Sequence, residues 1–360
     1  MNIRHGGDIY KYDRELIDFS SNINPLGPPQ ALEKVFNSDW QQITRYPDRE
    51  YRRLREMLAE RHDIEPEGVV VSNGAIELIY LVGRLLAESS AVIPEPTFSE
   101  YAHVLDINEG RIERVLREPE EGFRLPVKSL CRKLNRTEAV FLCRPNNPAG
   151  ELIPRQKLDR ELPRDKLIIS DESFLDFLPE DEEETLAEWL PEHDRLVVLR
   201  SATKFYALPG LRLGYALTTP GLAARMRRYQ ITWSVNALAC AAGRIIYNQE
   251  SQGEFQKRSH RWLAQEQEYL RSRLEQIPHF ELFPGRANFL LLKIRHDQFT
   301  AKKLNERMRQ QGILIREADS FIGLDESYFR VAVKSRQAND KLISALISAV
   351  DELESGGENS

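Results

Sequence analysis

The stretch Leu196-Val197-Val198-Leu199-Arg200-Ser201-Ala202-Thr203-Lys204-Phe205-Tyr206-Ala207-Leu208-Pro209-Gly210-Leu211-Arg212-Leu213-Gly214-Tyr215 decides how the rest of the chain is read. Its first four residues form a short, continuous apolar run, the pattern of a strand buried on both faces. Lys204 then falls just past the carboxyl end of that strand, where open α/β sheets assemble their sites. A lysine at such a point is ordinarily a solvated surface group. Here hydroxyls at Ser201 and Thr203 flank it, and a Pro209-Gly210 turn lets Arg212, eight residues on, return towards the same point. Two hydroxyls and one guanidinium suit a phosphate dianion, because charge-assisted and bidentate hydrogen bonds are the strong ones.

Outward from this stretch, strand and helix alternate. Short apolar runs fall at Val69–Ser72, Ala91–Pro94, Ala139–Cys143, Leu167–Ser170 and Leu196–Arg200, with helical patterns at Ala75–Ala87, Phe98–Leu105 and Pro154–Leu162 between several of them. That alternation predicts an α/β fold: a mostly parallel central sheet covered by helices. Beyond residue 218 the pattern turns to long amphipathic helices (218–275). Strand-like runs follow at Asn288–Ile294, Gly312–Arg316 and Tyr328–Val333, and then a helix at 337–353. The expected organisation is an irregular N-terminal arm over 1–30, a large domain over 31–240 and a smaller α+β domain over 241–354. The polar tail 355–360, SGGENS, is expected to be disordered. The acidic run Glu180–Glu184 reads as a solvated loop or helix start.

Three more strand ends carry candidate chemistry. Asp171 closes the run Ile168-Ile169-Ser170-Asp171, 33 residues before Lys204; such a carboxylate is either a helix cap or a site group. Asn147 lies in Arg144-Pro145-Asn146-Asn147-Pro148, a rigid turn by composition after Ala139–Cys143. Ser72-Asn73-Gly74-Ala75 marks a strand-to-helix turn whose free N–H groups and helix end favour an anion. Phe98, after the run Ala91–Pro94, is either a core aromatic or a stacking platform.

Composition narrows the class. Hydrophobic residues are 41% and charged residues 29% of the 360, as in an ordinary globular protein, and the net charge of −6 argues against a nucleic-acid partner. The three cysteines, Cys131, Cys143 and Cys240, form no C-x-x-C pair, so neither a disulfide framework nor a metal site is expected. Residues 1–13, MNIRHGGDIYKYD, contain no apolar signal core, and no run reaches the ~18 apolar residues of a membrane span; a cytoplasmic protein without a membrane partner is expected.

Taken together, the ordered motifs resemble the type I pyridoxal-phosphate family, in particular the branch holding the histidinol-phosphate aminotransferases. The resemblance implies the type I pyridoxal-phosphate transferase fold with pyridoxal 5'-phosphate as cofactor. It makes Lys204 the lysine bound to that cofactor and Asp171 the partner of the ring nitrogen, keeping the ring cationic and electron-withdrawing. It further implies that Asn147 binds the ring oxygen, and that Ser201, Thr203, Arg212 and the Gly74–Ala75 backbone bind the cofactor phosphate, with Phe98 on the ring. Tyr46, in Tyr46-Pro47-Asp48, matches a tyrosine that reaches the partner subunit's cofactor phosphate, which implies a homodimer with shared sites.

Within that family the arm looks like that of the threonine-phosphate decarboxylases of cobalamin biosynthesis. The matching residues are His5-Gly6-Gly7-Asp8 and Asp18-Phe19-Ser20-Ser21-Asn22-Ile23-Asn24-Pro25, with Trp233–Ala239, Pro284–Asn288, Ile313–Arg316 and Tyr328–Val333 further on. The implied reaction takes O-phospho-L-threonine, a small phosphorylated amino acid, to (R)-1-amino-2-propanol O-2-phosphate and CO2. His5, the Gly6 backbone, Asn22 and Arg316 are the implied surroundings of the substrate phosphate, with Arg330 and Asn147 orienting its carboxylate. The alternatives are a histidinol-phosphate aminotransferase, an O-phospho-L-serine decarboxylase and a non-catalytic binding protein on the same fold. Two departures stand out: Ile76 sits where relatives often place a threonine or serine, and Phe174 where the aminotransferases usually have a tyrosine.

Overall fold

Strands that must bury both faces read as unbroken apolar runs, and the computed structural model, which describes residues 4–38, 40–179, 184–296 and 299–356, contains such strands at each expected place. In chain order the strands are β1 (Ile17–Asp18), β2 (Val69–Ser72), β3 (Ser90–Glu95), β4 (Arg111–Leu116), β5 (Ala139–Cys143), β6 (Leu167–Asp171) and β7 (Leu196–Ser201). They continue with β8 (Gly214–Thr218), β9 (Phe280–Leu282), β10 (Phe289–Ile294), β11 (Ile313–Leu314), β12 (Arg316–Glu317) and β13 (Tyr328–Ala332).

Seven of them form the central sheet in the order β2-β8-β7-β6-β5-β3-β4. The pairs β4–β3, β3–β5, β5–β6 and β6–β7 are parallel, whereas β8 runs antiparallel to both β2 and β7. Alternate residues of each strand enter opposite cores. Val69, Val71, Val140, Leu142, Ile168 and Val198 face one side, and Val70, Ala139, Phe141, Ile169, Val197 and Leu199 the other. This is the mostly parallel, helix-covered central sheet that the sequence predicts.

Two strands of this sheet were not expected. β8 follows so closely on the lysine stretch that Gly214-Tyr215 reads as part of that motif. β4 is an edge strand whose Arg111, Glu113 and Arg114 give it a polar pattern. The short β1 and β9 were also not anticipated. The single run expected at Gly312–Arg316 is two strands instead. β11 pairs parallel with β1 of the N-terminal arm, while β12 turns to join the antiparallel sheet β12-β13-β10-β9. Ile315, between them, gives its N–H to Asn305 Oδ1 at 3.1 Å instead of to a strand.

Helices at Ala75–Leu85, Glu100–Asp106 and Arg155–Glu161 flank the central sheet, and the region after residue 218 supplies Pro220–Tyr229, Ala237–Ile246 and Gln249–Leu274. The last helix runs from Arg336 to Gly356. Ser355 and Gly356, expected in the disordered tail, are therefore helical, and 357–360 lie outside the described residues. Of the acidic run, 180–183 lie outside as well. Glu184 accepts the Arg155 N–H at 2.6 Å and so caps the helix Arg155–Glu161.

The arm itself is tied in by backbone bonds rather than by bulk. Phe19 N–H donates to Leu314 O at 2.8 Å and Ala332 N–H donates to Phe19 O at 2.9 Å, so residues 17–19 stitch the small sheet to the cleft. No helix among the described residues is long and apolar enough to cross a membrane.

Candidate active site

The carboxyl ends of β5, β6 and β7 open on one cavity of about 420 Å³, whose walls also take in the turn after β2, the arm and the small sheet. Lys204 lies at its base, one turn past β7. The backbone around it is fixed from the arm: Asn24 N–H donates to Lys204 O at 3.1 Å, and Asn24 Nδ2 donates to Phe205 O and to Ser259 Oγ, each at 2.9 Å. Burial, then the guanidinium groups of Arg330 and Arg212, push the Lys204 ammonium down to about 8, against the opposing pull of Asp171. A lysine so placed carries a sizeable neutral, nucleophilic fraction at mildly alkaline pH.

Asp171, at the end of β6, is almost fully buried and satisfied on both oxygens. Oδ1 accepts from Ser173 N–H at 3.0 Å and Ser173 Oγ at 2.5 Å, and Oδ2 accepts from the Tyr101 hydroxyl at 2.7 Å. Cys143, at the end of β5, sits against this group, and burial beside Asp171 pushes its thiol up to about 12.

The anion cradle is formed where β8 lies close to the turn after β2. Gly74 has φ +75°, and a Cβ there would lie 2.3 Å from Arg212 Nη2; a Cβ on Gly214 would lie 2.6 Å from Ala75 N. The positive φ at position 74 and the backbone contact at position 214 each favour glycine, and the Arg212 guanidinium occupies the space beside Gly74. Ser201 Oγ and Thr203 Oγ1 are 2.7 Å apart on the same wall. Phe98 and Ile76 also line the cavity, so the hydroxyl that Ile76 lacks leaves this cradle to the backbone, Ser201, Thr203 and Arg212.

Two arginines close the opposite side. Arg316 and Arg330 face each other directly across the β12–β13 ladder, and both are buried. Arg330 donates to Asn147 Oδ1 and, at 2.8 Å, to Ser20 O, while its Nε is buried without a partner; burial and Arg316 push it down to about 9. Arg316 donates to Arg4 O at 2.6 Å, Ser320 Oγ at 2.7 Å and Glu317 O, and burial together with Arg4 pushes it down to about 10. Buried cations so destabilised suit an anionic ligand. The arm adds His5, whose Nε2 lies 2.9 Å from Glu100 Oε1, and Gly6, where a Cβ would lie 2.1 Å from Ser20 O. Asn22 is buried with its Oδ1 unpartnered.

Fourteen of the fifteen residues singled out in the sequence therefore meet at this cavity: His5, Gly6, Asn22, Ala75, Phe98, Asn147, Asp171, Ser201, Thr203, Lys204, Arg212, Arg316 and Arg330 on its wall, with Gly74 just behind Ala75. Tyr46 does not; it is 79% exposed and stacks on Trp233 with ring centroids 4.5 Å apart. Tyr101, Glu100, Tyr80, Cys143 and Ser173 also line the wall and were not singled out. Tyr101 could have been found from its spacing, since it lies one helical turn beyond Phe98.

A lysine, a fully hydrogen-bonded carboxylate, an asparagine amide and a glycine-lined guanidinium cradle around one cavity fit pyridoxal phosphate, which needs a partner for each of these features. Comparison with known proteins agrees with that fit. The model of the family "Aminotransferase class I and II" matches residues 14–346. The chain is 37% identical over 358 residues to the threonine-phosphate decarboxylase of Salmonella typhimurium, covering 96% of each chain. Among solved structures it is similar to the L-threonine-O-3-phosphate decarboxylase of Porphyromonas gingivalis, with a TM-score of 0.82 at 27% identity, covering 92% of this chain and 99% of that one. It shares its fold with the histidinol-phosphate aminotransferase of Sinorhizobium meliloti solved in complex with pyridoxal-5'-phosphate, with a TM-score of 0.83 at 21% identity over 92% and 90% of the two chains. On the family match over most of its length, the chain belongs to the class I and II aminotransferase family.

Proposed function

We propose that the chain is a pyridoxal-phosphate-dependent decarboxylase that converts O-phospho-L-threonine to (R)-1-amino-2-propanol O-2-phosphate and CO2 in cobalamin biosynthesis. The observation that carries this reading is the direct pairing of Arg316 with Arg330 across the β12–β13 ladder, both buried on the wall of the cavity that holds Lys204. Like charges directly opposite on a ladder are unfavourable, so the pair calls for a ligand with two anionic groups. O-Phospho-L-threonine carries a carboxylate and a phosphate on one short skeleton. The 37% identity to a named threonine-phosphate decarboxylase over nearly the full length of both chains supports that choice.

Bound pyridoxal phosphate supplies a conjugated cationic ring that takes up the electron pair left when the carboxylate departs. The chain's residues do the rest. Asp171 keeps a proton on the ring nitrogen, with its charge stabilised by Ser173 and Tyr101. Asn147 gives Oδ1 to Arg330 and keeps its amide N–H groups for the ring oxygen. Ser201, Thr203, Arg212 and the Gly74–Ala75 backbone hold the cofactor phosphate, and Phe98 covers the ring. Arg330 would hold the substrate carboxylate and so fix which bond to Cα is presented for cleavage. Arg316, His5, Asn22 and the Gly6 backbone hold the substrate phosphate away from bulk water. Lys204 Nζ would hold the cofactor and, as an amine at the base of the cavity, would carry the proton delivered to the substrate's Cα. We assign the exposed Tyr46 to the cofactor phosphate of a second copy, in a cytoplasmic homodimer with shared sites. Within each chain we divide the molecule into an arm (1–30), a large domain (31–240) and a small domain (241–354).

The test is to incubate the cofactor-loaded protein with O-phospho-L-threonine and follow CO2 and the phosphorylated amine. Catalytic CO2 release supports the reading. No CO2, with conversion of the cofactor to its pyridoxamine form by histidinol phosphate, makes the protein an aminotransferase. O-Phospho-L-serine is the next substrate to compare, because a pocket discriminates one methyl group by only ~1–3 kcal/mol.

A further inference from the structure

One buried ring touches both groups that face the cofactor from the helix side of the cavity. Tyr101 is fully buried in the helix Glu100–Asp106, and its hydroxyl donates to Asp171 Oδ2 at 2.7 Å. The same ring stacks on Phe141 of β5, with centroids 5.2 Å apart and planes at 17°, and meets Phe98 edge-on at 5.7 Å and 82°. The hydroxyl cannot swing away without giving up the stack, and the stack cannot shift without moving Phe98. Burial beside Asp171 holds the phenol well above its ordinary value, so it remains a donor at every working pH.

We propose that Tyr101 is a positioning residue for the cofactor ring: its hydroxyl fixes the orientation and charge of Asp171, and its ring sets the height of Phe98. The proposal rests on the pyridoxal-phosphate reading of the cavity but not on the identity of the substrate. With the Tyr101 donor in place, part of the Asp171 charge is drawn away from the ring nitrogen. Without it, the carboxylate holds nearby protons harder and is free to rotate about its remaining Ser173 contacts. Of the neighbouring ionisable groups, Lys204 interacts with Asp171 but not with the phenol, and the Cys143 thiol, which the Tyr101 side chain also meets, stays protonated; of the contacts the substitution removes, only the one to Asp171 involves a charge.

The experiment compares Tyr101→Phe with the parent protein, each loaded with pyridoxal phosphate, and repeats the comparison in an Asp171→Asn background. Tyr101→Phe keeps the ring and its packing, so it tests the hydroxyl alone. It is expected to move the pH midpoint of the cofactor's visible absorbance change upward by about half a unit to one unit, and to weaken cofactor binding about 3- to 10-fold, as befits one hydrogen bond to a charged group. In the Asp171→Asn background the midpoint shift should vanish, because the charge it acts through is gone. Tyr101→Leu, which also removes the ring contact with Phe98, should weaken cofactor binding on the order of 10-fold more than Tyr101→Phe. An unchanged midpoint in Tyr101→Phe, or a shift of equal size without the Asp171 charge, overturns the proposal. These readouts need no substrate, so they stand even where O-phospho-L-threonine releases no CO2; a parent protein that takes up no cofactor would fail the wider reading instead.

Discussion

The two ends of the cavity are held by different physics. At the cofactor floor, Lys204, Asp171 and Asn147 stand at the ends of neighbouring buried strands, and Asp171 alone accepts three hydrogen bonds. At the arm, Arg4 reaches Glu317 at 3.3 Å and Asp319 at 2.5 Å, and His5 reaches Glu100 at 2.9 Å, with the Arg4 and His5 side chains 42% and 48% exposed. Exposed ion pairs contribute little to stability and are screened by salt, whereas strand-end groups are fixed by the whole sheet. A rigid floor with a loosely tethered arm tip at Arg4 and His5 is the expected division where one cofactor chemistry serves many substrates: the floor fixes what the cofactor can do and the tip decides what is brought to it.

That contrast is open to a direct test, beginning with its strongest consequence. Replacing Lys204 with alanine removes the nucleophile and proton carrier at the floor. CO2 release from O-phospho-L-threonine is expected to fall on the order of 1,000-fold or more, with the protein still folded and still retaining cofactor through Asp171 and the Gly74–Arg212 cradle. A variant that kept a tenth of the activity would place the chemistry elsewhere. At the arm the effect should be smaller and of another kind. His5→Ala is expected to raise the KM for O-phospho-L-threonine about 10-fold, the loss of one hydrogen bond to an anion, while leaving cofactor affinity unchanged in an equilibrium titration. If His5→Ala weakened cofactor and substrate alike, the two ends would not be independent and the comparison would break.

The same contrast governs what could be read from the sequence. The floor was legible because a strand buried on both faces leaves a short apolar run, and the residues within about one turn of its carboxyl end are presented to the cavity; Asp171 closes such a strand, and Lys204 and Asn147 lie three and four residues past theirs. Arg316 and Arg330 were legible as arginines in strand-like runs. That they stand opposite each other was not, because register between distant strands is set by packing rather than by local pattern. Tyr101 was passed over since its partner Asp171 lies 70 residues away, and a tyrosine on an amphipathic helix reads as core. Glu100 was hidden for the same reason, its meeting with His5 spanning 95 residues. The edge strand β4 was lost to its own charges, and β8 to the motif that precedes it.

The finest test of a rigid floor concerns Glu95, at the carboxyl end of β3 and three residues before Phe98. It is 2% exposed, accepts the Thr97 N–H at 3.0 Å, and has Arg114 Nε at 3.9 Å. Burial outweighs these contacts and pushes its carboxyl from about 4.5 up to about 7. The folded protein therefore keeps a proton on Glu95 over a range in which the unfolded chain has already lost it. Stability from this group is full below about 4.5 and is lost as pH rises through about 7. Glu95→Gln, always neutral, lacks that loss. Relative to the parent, it should gain stability between pH 5 and pH 8 by on the order of 1–2 kcal/mol, measured by denaturant unfolding at the two pH values. A difference that stays flat would mean that Arg114 and Arg117 keep the carboxylate charged, and that the loop carrying Phe98 is anchored by ion pairs like those of the arm.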